Sequence, residues 1–159
     1  MVDDSLTDDQ IIVVEVDGEH TAAPLEPAHT SETPLALVAD DDRTIRLFLS
    51  RVLAKCGVEV LEAENGKEAL NLYEAHRGAI GLVVLDVIMP VMDGETVLTE
   101  IRSTDATTQV LMVSGDVDSD QRDQLLASGA TAFLSKPLDT ITLTAAIRHL
   151  LPAAQTPRE

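Results

Sequence analysis

Short apolar runs in this 159-residue sequence end in side chains that could do chemistry. The stretch VVLDVIMPVMDG is the clearest case, because an apolar run of the kind found in buried strands ends in a single carboxylate, Asp86. Burying a bare carboxylate is costly unless a cation or a hydrogen-bond donor meets it. Other apolar runs end in residues that could serve as its partners. These are Asp40, Asp41, Ser114 and Lys136.

These residue types together suit the transfer of a phosphoryl group to Asp86. Mg²⁺ prefers oxygen ligands, which Asp40, Asp41 and Asp86 can supply. Without a cation the three acids would repel one another and one would hold a proton, whereas with a cation Asp86 stays an ionised nucleophile. Lys136 can add a point charge and Ser114 a hydrogen bond at the phosphoryl oxygens. The pattern therefore predicts an acyl phosphate at Asp86.

The secondary structure has to bring these side chains together. Aliphatic runs predict five strands, over 35–39, 58–63, 80–86, 109–114 and 131–135. Because amphipathic segments alternate with these runs, we expect an α/β fold whose parallel sheet is covered on both faces. Right-handed crossovers make such a sheet doubly wound, and ligands bind at the carboxyl ends of its strands. All the residues named above then lie on one edge of the sheet.

Helix signals separate the predicted strands. After the acidic cluster, apolar residues recur at helical spacing until Gly57, which is a natural helix stop. Asp42 follows the acidic pair and suits capping of this helix better than binding of a metal ion. Asn65 and Glu68 match a capping box at the start of the second helix. The other helices are predicted over 94–103, 119–128 and 139–151.

Composition limits the class of protein. The chain is 45% hydrophobic and 2% aromatic, which indicates one globular domain with an aliphatic core. A formal charge of −17 argues against a nucleic-acid partner, because phosphate contacts need clustered Lys and Arg. The single cysteine, Cys56, fits a reducing compartment, and no apolar run approaches the length of a membrane span. We expect a cytoplasmic protein without a membrane partner.

The two ends of the chain differ from the domain between them. Residues 1–33 carry many acids, two prolines and no Lys or Arg, which predicts a largely disordered acidic extension. Within it, the segment QIIVVEV (residues 10–16) could be a strand, a docking segment or an apolar patch in a tail. The predicted domain covers 34–151 and is followed by a tail over 152–159.

The sequence resembles a response regulator receiver domain of the CheY-like superfamily, the phospho-accepting module of two-component signalling. Four motifs carry the resemblance in the family's order and spacing: VADDDRTIR, VVLDVIMPVMDG, LMVSG and FLSKP. The resemblance implies a flavodoxin-like (βα)5 fold with a five-stranded parallel sheet in the order 2-1-3-4-5. It also implies that a sensor histidine kinase or a histidine phosphotransfer protein supplies the phosphoryl group. Such a domain catalyses only its own phosphorylation and dephosphorylation.

The resemblance also assigns a ligand set for the metal ion. Asp41 is implied to bind Mg²⁺ directly and Asp40 largely through water, with Asp86 as a further ligand. The backbone carbonyl of Ile88 is implied as the third protein ligand, and Mn²⁺ could replace Mg²⁺. The Lys136–Pro137 peptide bond is implied to be cis.

A conformational switch is implied as well. Ser114 would move toward the phosphoryl group and Phe133 would turn inward, although Phe133 could instead be a half-buried core residue. The implied output surface comprises the fourth helix, the fifth strand of the parallel sheet and the fifth helix. No residues after Glu159 remain for an output domain, so we expect a single-domain regulator that contacts another protein, with a piece of a hybrid kinase or of a longer regulator as the alternative. It would be a monomer or a weak, phosphorylation-dependent dimer.

Some residues depart from the commonest family pattern. Arg43 and Leu138 replace a frequent Pro and Phe, away from the chemistry. Ile88 cannot hydrogen-bond an attacking water, and Asp116 adds negative charge near an incoming nucleophile. We therefore expect a fairly long-lived phosphoryl state.

Three other classes compete with this interpretation. Residues 40–44 satisfy the DxDxT motif of haloacid-dehalogenase phosphohydrolases, with Asp40 as nucleophile, and residues 115–120 satisfy their GDxxxD motif. That family places its Lys before the acidic motif, however, whereas Lys136 follows it here, and Asp86 would have no role. A non-phosphorylated receiver would usually lack an acid or the Lys. A Rossmann dehydrogenase is disfavoured because the first turn has no GxGxxG motif.

Overall fold

A computed structural model of the chain describes residues 11–13 and 33–152. The strands are β1 (Ile11–Val13), β2 (Leu35–Ala39), β3 (Glu59–Ala63), β4 (Ile80–Asp86), β5 (Gln109–Ser114) and β6 (Ala132–Ser135). The helices are α1 (Arg43–Lys55), α2 (Gly66–Ala75), α3 (Gly94–Thr104), α4 (Ser119–Ala127) and α5 (Thr140–Leu150). The bounds predicted for the five strands of the parallel sheet and for α3, α4 and α5 agree with these to within one residue. Most of the predicted extension and tail lies outside the described residues.

Among the described residues, six strands form one sheet in the order β3-β2-β4-β5-β6-β1. Strands β2 to β6 are parallel and follow the predicted order 2-1-3-4-5, so the predicted fold class is confirmed. In the centre of the sheet β2 pairs with β4, with Ala39 opposite Leu85. The residues that follow these two strands therefore leave the sheet side by side.

The prediction of five strands was incomplete, because β1 adds an antiparallel strand beside β6. A strand is thus the correct interpretation for residues 11–13, while residues 10 and 14–16 lie outside the described part of the chain. The physical reason is that a last parallel strand leaves a row of backbone N–H and C=O groups open. The β-branched segment Ile11–Val13 is suited to pair with such an edge.

Helices cover both faces of the sheet, and each face has its own apolar cluster. Alternate residues of β2 divide between the two faces. Ala36 and Val38 pack on the side of α1 and α5, whereas Leu37 and Ala39 pack on the side of α2, α3 and α4. All four are fully buried, and full burial of a large aliphatic side chain contributes about 1.5–3 kcal/mol. No helix in the described ranges is long and apolar enough to cross a membrane.

Side chains cap the helices that leave the carboxyl edge of the sheet. Asp42 accepts hydrogen bonds from the backbone of Thr44 and Ile45, which confirms its predicted capping role at α1. Asn65 caps α2 as predicted, but the carboxylate of Glu68 accepts from the N–H of Glu64 rather than from that of Asn65. The capping box is therefore shifted by one residue. These bonds fix where each helix starts relative to its strand.

A polar network ties the opposite edge of the sheet together. The carboxylate of Asp105 accepts hydrogen bonds from the hydroxyls of Tyr73, Thr107 and Thr108 and from the backbone of Thr107. The hydroxyls of Thr108 and Tyr73, together with the Thr107 donors, lower the pKa of Asp105 below its usual range. The residue thus links α2 to the segment that leads into β5.

We expect Asp105→Asn to lower the free energy of unfolding at pH 7 by about 2 kcal/mol, because hydrogen bonds to a charged acceptor weaken. Since the folded-state pKa is depressed, this stability is present above the unfolded pKa of about 3.9 and is lost as pH falls below it. The difference between variant and parent should therefore shrink below about pH 4. Urea unfolding across this pH range measures it. Exposed Asp123→Asn is the matched control, and an equal loss there would contradict the prediction.

Candidate functional site

Three carboxylates converge at the carboxyl edge of the parallel sheet. Asp40 and Asp41 follow β2, and Asp86 ends the neighbouring strand β4. One carboxylate oxygen from each of them lies within 4.8 Å of the others. Asp40 is fully buried and Asp86 is 5% exposed, whereas Asp41 faces solvent. The cluster is thus open on the side of Asp41, where a small ligand could enter.

Lys136 faces the carboxylates from the end of β6. Its Nζ lies 3.1 Å from Oδ2 of Asp40 and 3.3 Å from Oδ1 of Asp86. The other oxygen of Asp40 accepts a hydrogen bond from the backbone N–H of Asp42 at 2.8 Å. Both oxygens of Asp40 therefore have a partner within the protein, which holds this carboxylate in a fixed orientation.

The charges in this cluster do not balance. Burial, and then repulsion by Asp40, raises the pKa of Asp86 to about 6, although Lys136 acts in the opposite direction. Burial would lower the pKa of Lys136, but the carboxylates of Asp40 and Asp86 outweigh it and raise that pKa. One ammonium group thus faces three carboxylates. An oxygen-rich site with excess negative charge fits a small divalent cation such as Mg²⁺.

Sequence reasoning missed Arg46, which orients the acidic turn. Its guanidinium donates to the backbone carbonyl of Asp40 at 2.8 Å and forms an ion pair with Glu62 at 3.2 Å. The contact joins α1 to the ends of β2 and β3. An arginine on a helix face carries no signal in the sequence that would distinguish this role from ordinary solvation.

Ser114 and Phe133 lie in the neighbouring strands β5 and β6 and make different contacts. Ser114 ends β5 and is 3% exposed, and its hydroxyl accepts a hydrogen bond from the N–H of Asp116 at 3.4 Å. Phe133 is 2% exposed and belongs to the core. It is therefore more buried than expected from the alternative prediction, which made it a half-buried core residue. The roles of both in a switch stay predictions. The Lys136–Pro137 bond is cis.

The loop after Asp86 contains an unusual backbone turn at Val91. The N–H of Met92 bonds to the carbonyl of Pro90 at 2.7 Å, and Val91 between them has a φ of 71°. A γ-turn with positive φ is rare and strained, and a β-branched residue is disfavoured there. Val91 is 79% exposed and Ile88 is 62% exposed, so the loop presents two apolar side chains to solvent beside the acidic cluster.

Gly94 allows the start of α3 to pack against Asp86. A Cβ at this position would lie 2.2 Å from the carbonyl oxygen of Asp86, which no real structure tolerates. The N–H of Gly94 also bonds to the carbonyl of Val87 at 2.8 Å. In the sequence, Gly94 marks only the start of the helix predicted over 94–103. The structure shows that this glycine fixes the backbone that carries Asp86.

Comparison with known proteins agrees with this geometry. The profile of the response regulator receiver domain family matches residues 36–148. The chain belongs to this family. Receivers function in two-component signalling, so the predicted recognition is confirmed. This membership argues against a haloacid-dehalogenase phosphohydrolase.

The segment that matches this chain makes up very different shares of the known proteins. The chemotaxis protein CheY of Bacillus subtilis is 35% identical over 116 residues, which cover 72% of this chain and 95% of that protein. The sensor kinase CckA of Brucella abortus is 34% identical over 121 residues, 76% of this chain but only 13% of the kinase. A solved CheX–CheY–BeF3–Mg²⁺ complex from Borrelia burgdorferi has a TM-score of 0.71 and 30% identity, and covers 74% of this chain and 88% of that chain.

We expect Val91→Gly to raise the free energy of unfolding by about 1 kcal/mol. Relief of backbone strain should exceed the entropy that glycine adds to the unfolded chain. Urea unfolding of both proteins measures the difference. Ile88→Gly is the matched control, since it also truncates an exposed apolar residue of the same loop and should destabilise the protein. Equal destabilisation by both changes would refute the strain at Val91.

Proposed function

We propose that this receiver accepts a phosphoryl group from a phosphohistidine onto Asp86. The observation that carries the proposal is the convergence of three carboxylates, with the ammonium of Lys136 3.3 Å from the carboxylate of Asp86. In the reaction, a carboxylate oxygen of Asp86 forms a bond to phosphorus while the phosphorus–nitrogen bond of the donor breaks. The imidazole nitrogen leaves with the electron pair.

The residues of the chain have distinct tasks in this transfer. Lys136 is placed to attract the phosphoryl oxygens, because its ammonium already lies between Asp40 and Asp86. The Ser114 hydroxyl, at the end of the adjacent strand β5, can turn from the N–H of Asp116 to donate to one of those oxygens. Gly94 and Arg46 act as positioning residues, since they fix the backbones of Asp86 and Asp40.

We propose that Asp40, Asp41, Asp86 and the backbone carbonyl of Ile88 hold Mg²⁺, which Mn²⁺ could replace. When bound, the ion would offset the excess negative charge and help to bind the phosphoryl oxygens. The close arrangement of the three carboxylates supports a magnesium site, and so does the similarity to a CheY whose structure was solved with BeF3 and Mg²⁺. Because both oxygens of Asp40 already have partners, this residue suits a contact through water better than Asp41, which is exposed.

The phosphoryl group would then act through protein contacts. A sensor histidine kinase or a phosphotransfer protein is the proposed donor, in line with the relatives of the chain. The proposed output surface comprises α4, β6 and α5. Lys136 directly follows β6, so a change in its contacts at Asp86 acts on the strand that carries Phe133. A downstream protein would read this change.

We expect the protein to gain the mass of one phosphoryl group when it is incubated with acetyl phosphate and Mg²⁺. The adduct should be labile to base, as an acyl phosphate is. Intact-mass spectrometry measures the gain. Asp86→Asn should show none, EDTA should prevent it in the parent, and Asp93→Asn, which affects only a helix cap, should retain it. Uptake by Asp86→Asn at the parental level would contradict the proposal.

We expect Ile88→Asn to shorten the lifetime of the phosphoryl state about fivefold, the effect of one hydrogen bond of about 1 kcal/mol to an attacking water. Ile88 is 62% exposed beside the site, and its side chain offers no such bond. Loss of the adduct after removal of acetyl phosphate can be followed by mass. Ile88→Val is the control and should match the parent. A parental half-life of seconds that Ile88→Asn leaves unchanged would contradict this account.

A further inference from the structure

The strand β1 covers the edge of β6, which would otherwise be the open side of the parallel sheet. Its pairing runs from Ile11 opposite Leu134, through Ile12 opposite Phe133, to Val13 opposite Ala132. Three of the four residues of β6 are therefore paired with a segment of the acidic extension. An edge of this kind is a template on which any extended peptide can add a strand.

The direction of β1 allows a segment of the same chain to reach the edge of β6. Because β1 is antiparallel, Val13 lies at the amino edge of the sheet, where Leu35 begins β2. Strands β6, β5 and β4 separate β1 from β2, which corresponds to about 19 Å across the sheet. An unconstrained chain as long as residues 14–34 averages about 25 Å end to end. Because the length of this linker matches the distance, residues 11–13 are held at a high effective concentration beside the edge of β6.

Charge favours pairing of β6 with residues 11–13 of the same chain over pairing with residues 11–13 of a second copy. Residues 1–34 contain nine acids and no Lys or Arg, and acids stand on both sides of the strand, Asp8 and Asp9 before it and Glu15 and Asp17 after it. Two copies, each with a formal charge of −17, repel each other, whereas the tether offsets this repulsion within one chain. Flanking charges also discourage a further strand from adding outside β1.

We propose that the edge of β6 is a strand-addition site, that residues 11–13 occupy it in the same molecule, and that the acidic extension thereby controls access to the surface formed by α4, β6 and α5. The second part rests on the proposed function, which makes this surface the output surface. A downstream protein that adds an extended segment to β6 has to displace Ile11–Val13 first. The extension is then a built-in competitor of that partner.

The test uses the full chain with Ile12→Pro and Val13→Pro together. Neighbouring N–H groups of a strand point in opposite directions, so one of the two prolines removes an N–H that faces β6. Ala22→Pro with Ala23→Pro is the matched control outside the strand. The first readout is hydrogen exchange of the amides of Ala132, Phe133 and Leu134, measured by NMR. At least one should exchange about tenfold faster in the strand variant and none in the control.

The second readout is binding of a labelled peptide with the sequence of residues 9–17. It should bind the strand variant, restore slow exchange in β6, and bind the parent and the control at least tenfold more weakly. Unchanged exchange in the strand variant, or equal binding to all three proteins, would overturn the proposal. A parent that sediments as a dimer and becomes a monomer in the strand variant would show a second copy as the occupant, which also overturns it.

Both readouts are made without phosphorylation, so their results do not depend on the chemistry at Asp86. Peptide binding to the strand variant is then repeated with Mg²⁺ and beryllofluoride. If the extension controls access to the output surface, activation of that surface should change the affinity for the peptide, and an unchanged affinity would overturn this second part of the proposal. The surface-exposed change Arg148→Glu on α5 should alter peptide affinity less than twofold in the strand variant, since the peptide binds the backbone edge of β6. A larger effect would place the site elsewhere.

Discussion

Repulsion among three carboxylates beside a single ammonium group is the interaction on which the rest of the structure depends. Asp40 and Asp86 are buried at the edge of the sheet, and their oxygens lie within 4.8 Å of each other and of Asp41. Lys136 offsets part of this charge, yet the pKa of Asp86 is still raised to about 6. The site is therefore unfavourable on its own, and a small divalent cation could relieve it.

The topology of the doubly wound fold brings these residues to one edge of the sheet. Parallel strands end on one edge, so the residues after β2, β4, β5 and β6 meet there wherever they lie in the sequence. Two buried apolar clusters keep the sheet rigid, while the caps at Asp42 and Asp93 fix how the chain turns away from it. The loop that follows Asp86 is the exception, since it holds the strained Val91 and two exposed apolar side chains.

The parallel sheet and the acidic cluster could be predicted from the sequence because both follow from local patterns. Aliphatic runs mark the strands, and a polar residue at the end of each run marks the edge of the sheet. Arg46, the turn at Val91 and the close approach of Gly94 to Asp86 could not be predicted, because each depends on which atoms the fold brings together. The pairing of β1 with β6 was left open for the same reason, since an apolar segment alone does not specify its partner.

The most direct test of the central repulsion is the free energy of unfolding of Asp86→Asn and of the parent, each with and without Mg²⁺. Without metal, the neutral side chain should make the variant more stable at pH 7 by about 2–3 kcal/mol, the equivalent of the raised pKa of Asp86. Mg²⁺ should stabilise the parent and leave the variant almost unchanged. A variant that is less stable than the parent without metal, with an equal response of both proteins to Mg²⁺, would contradict the account.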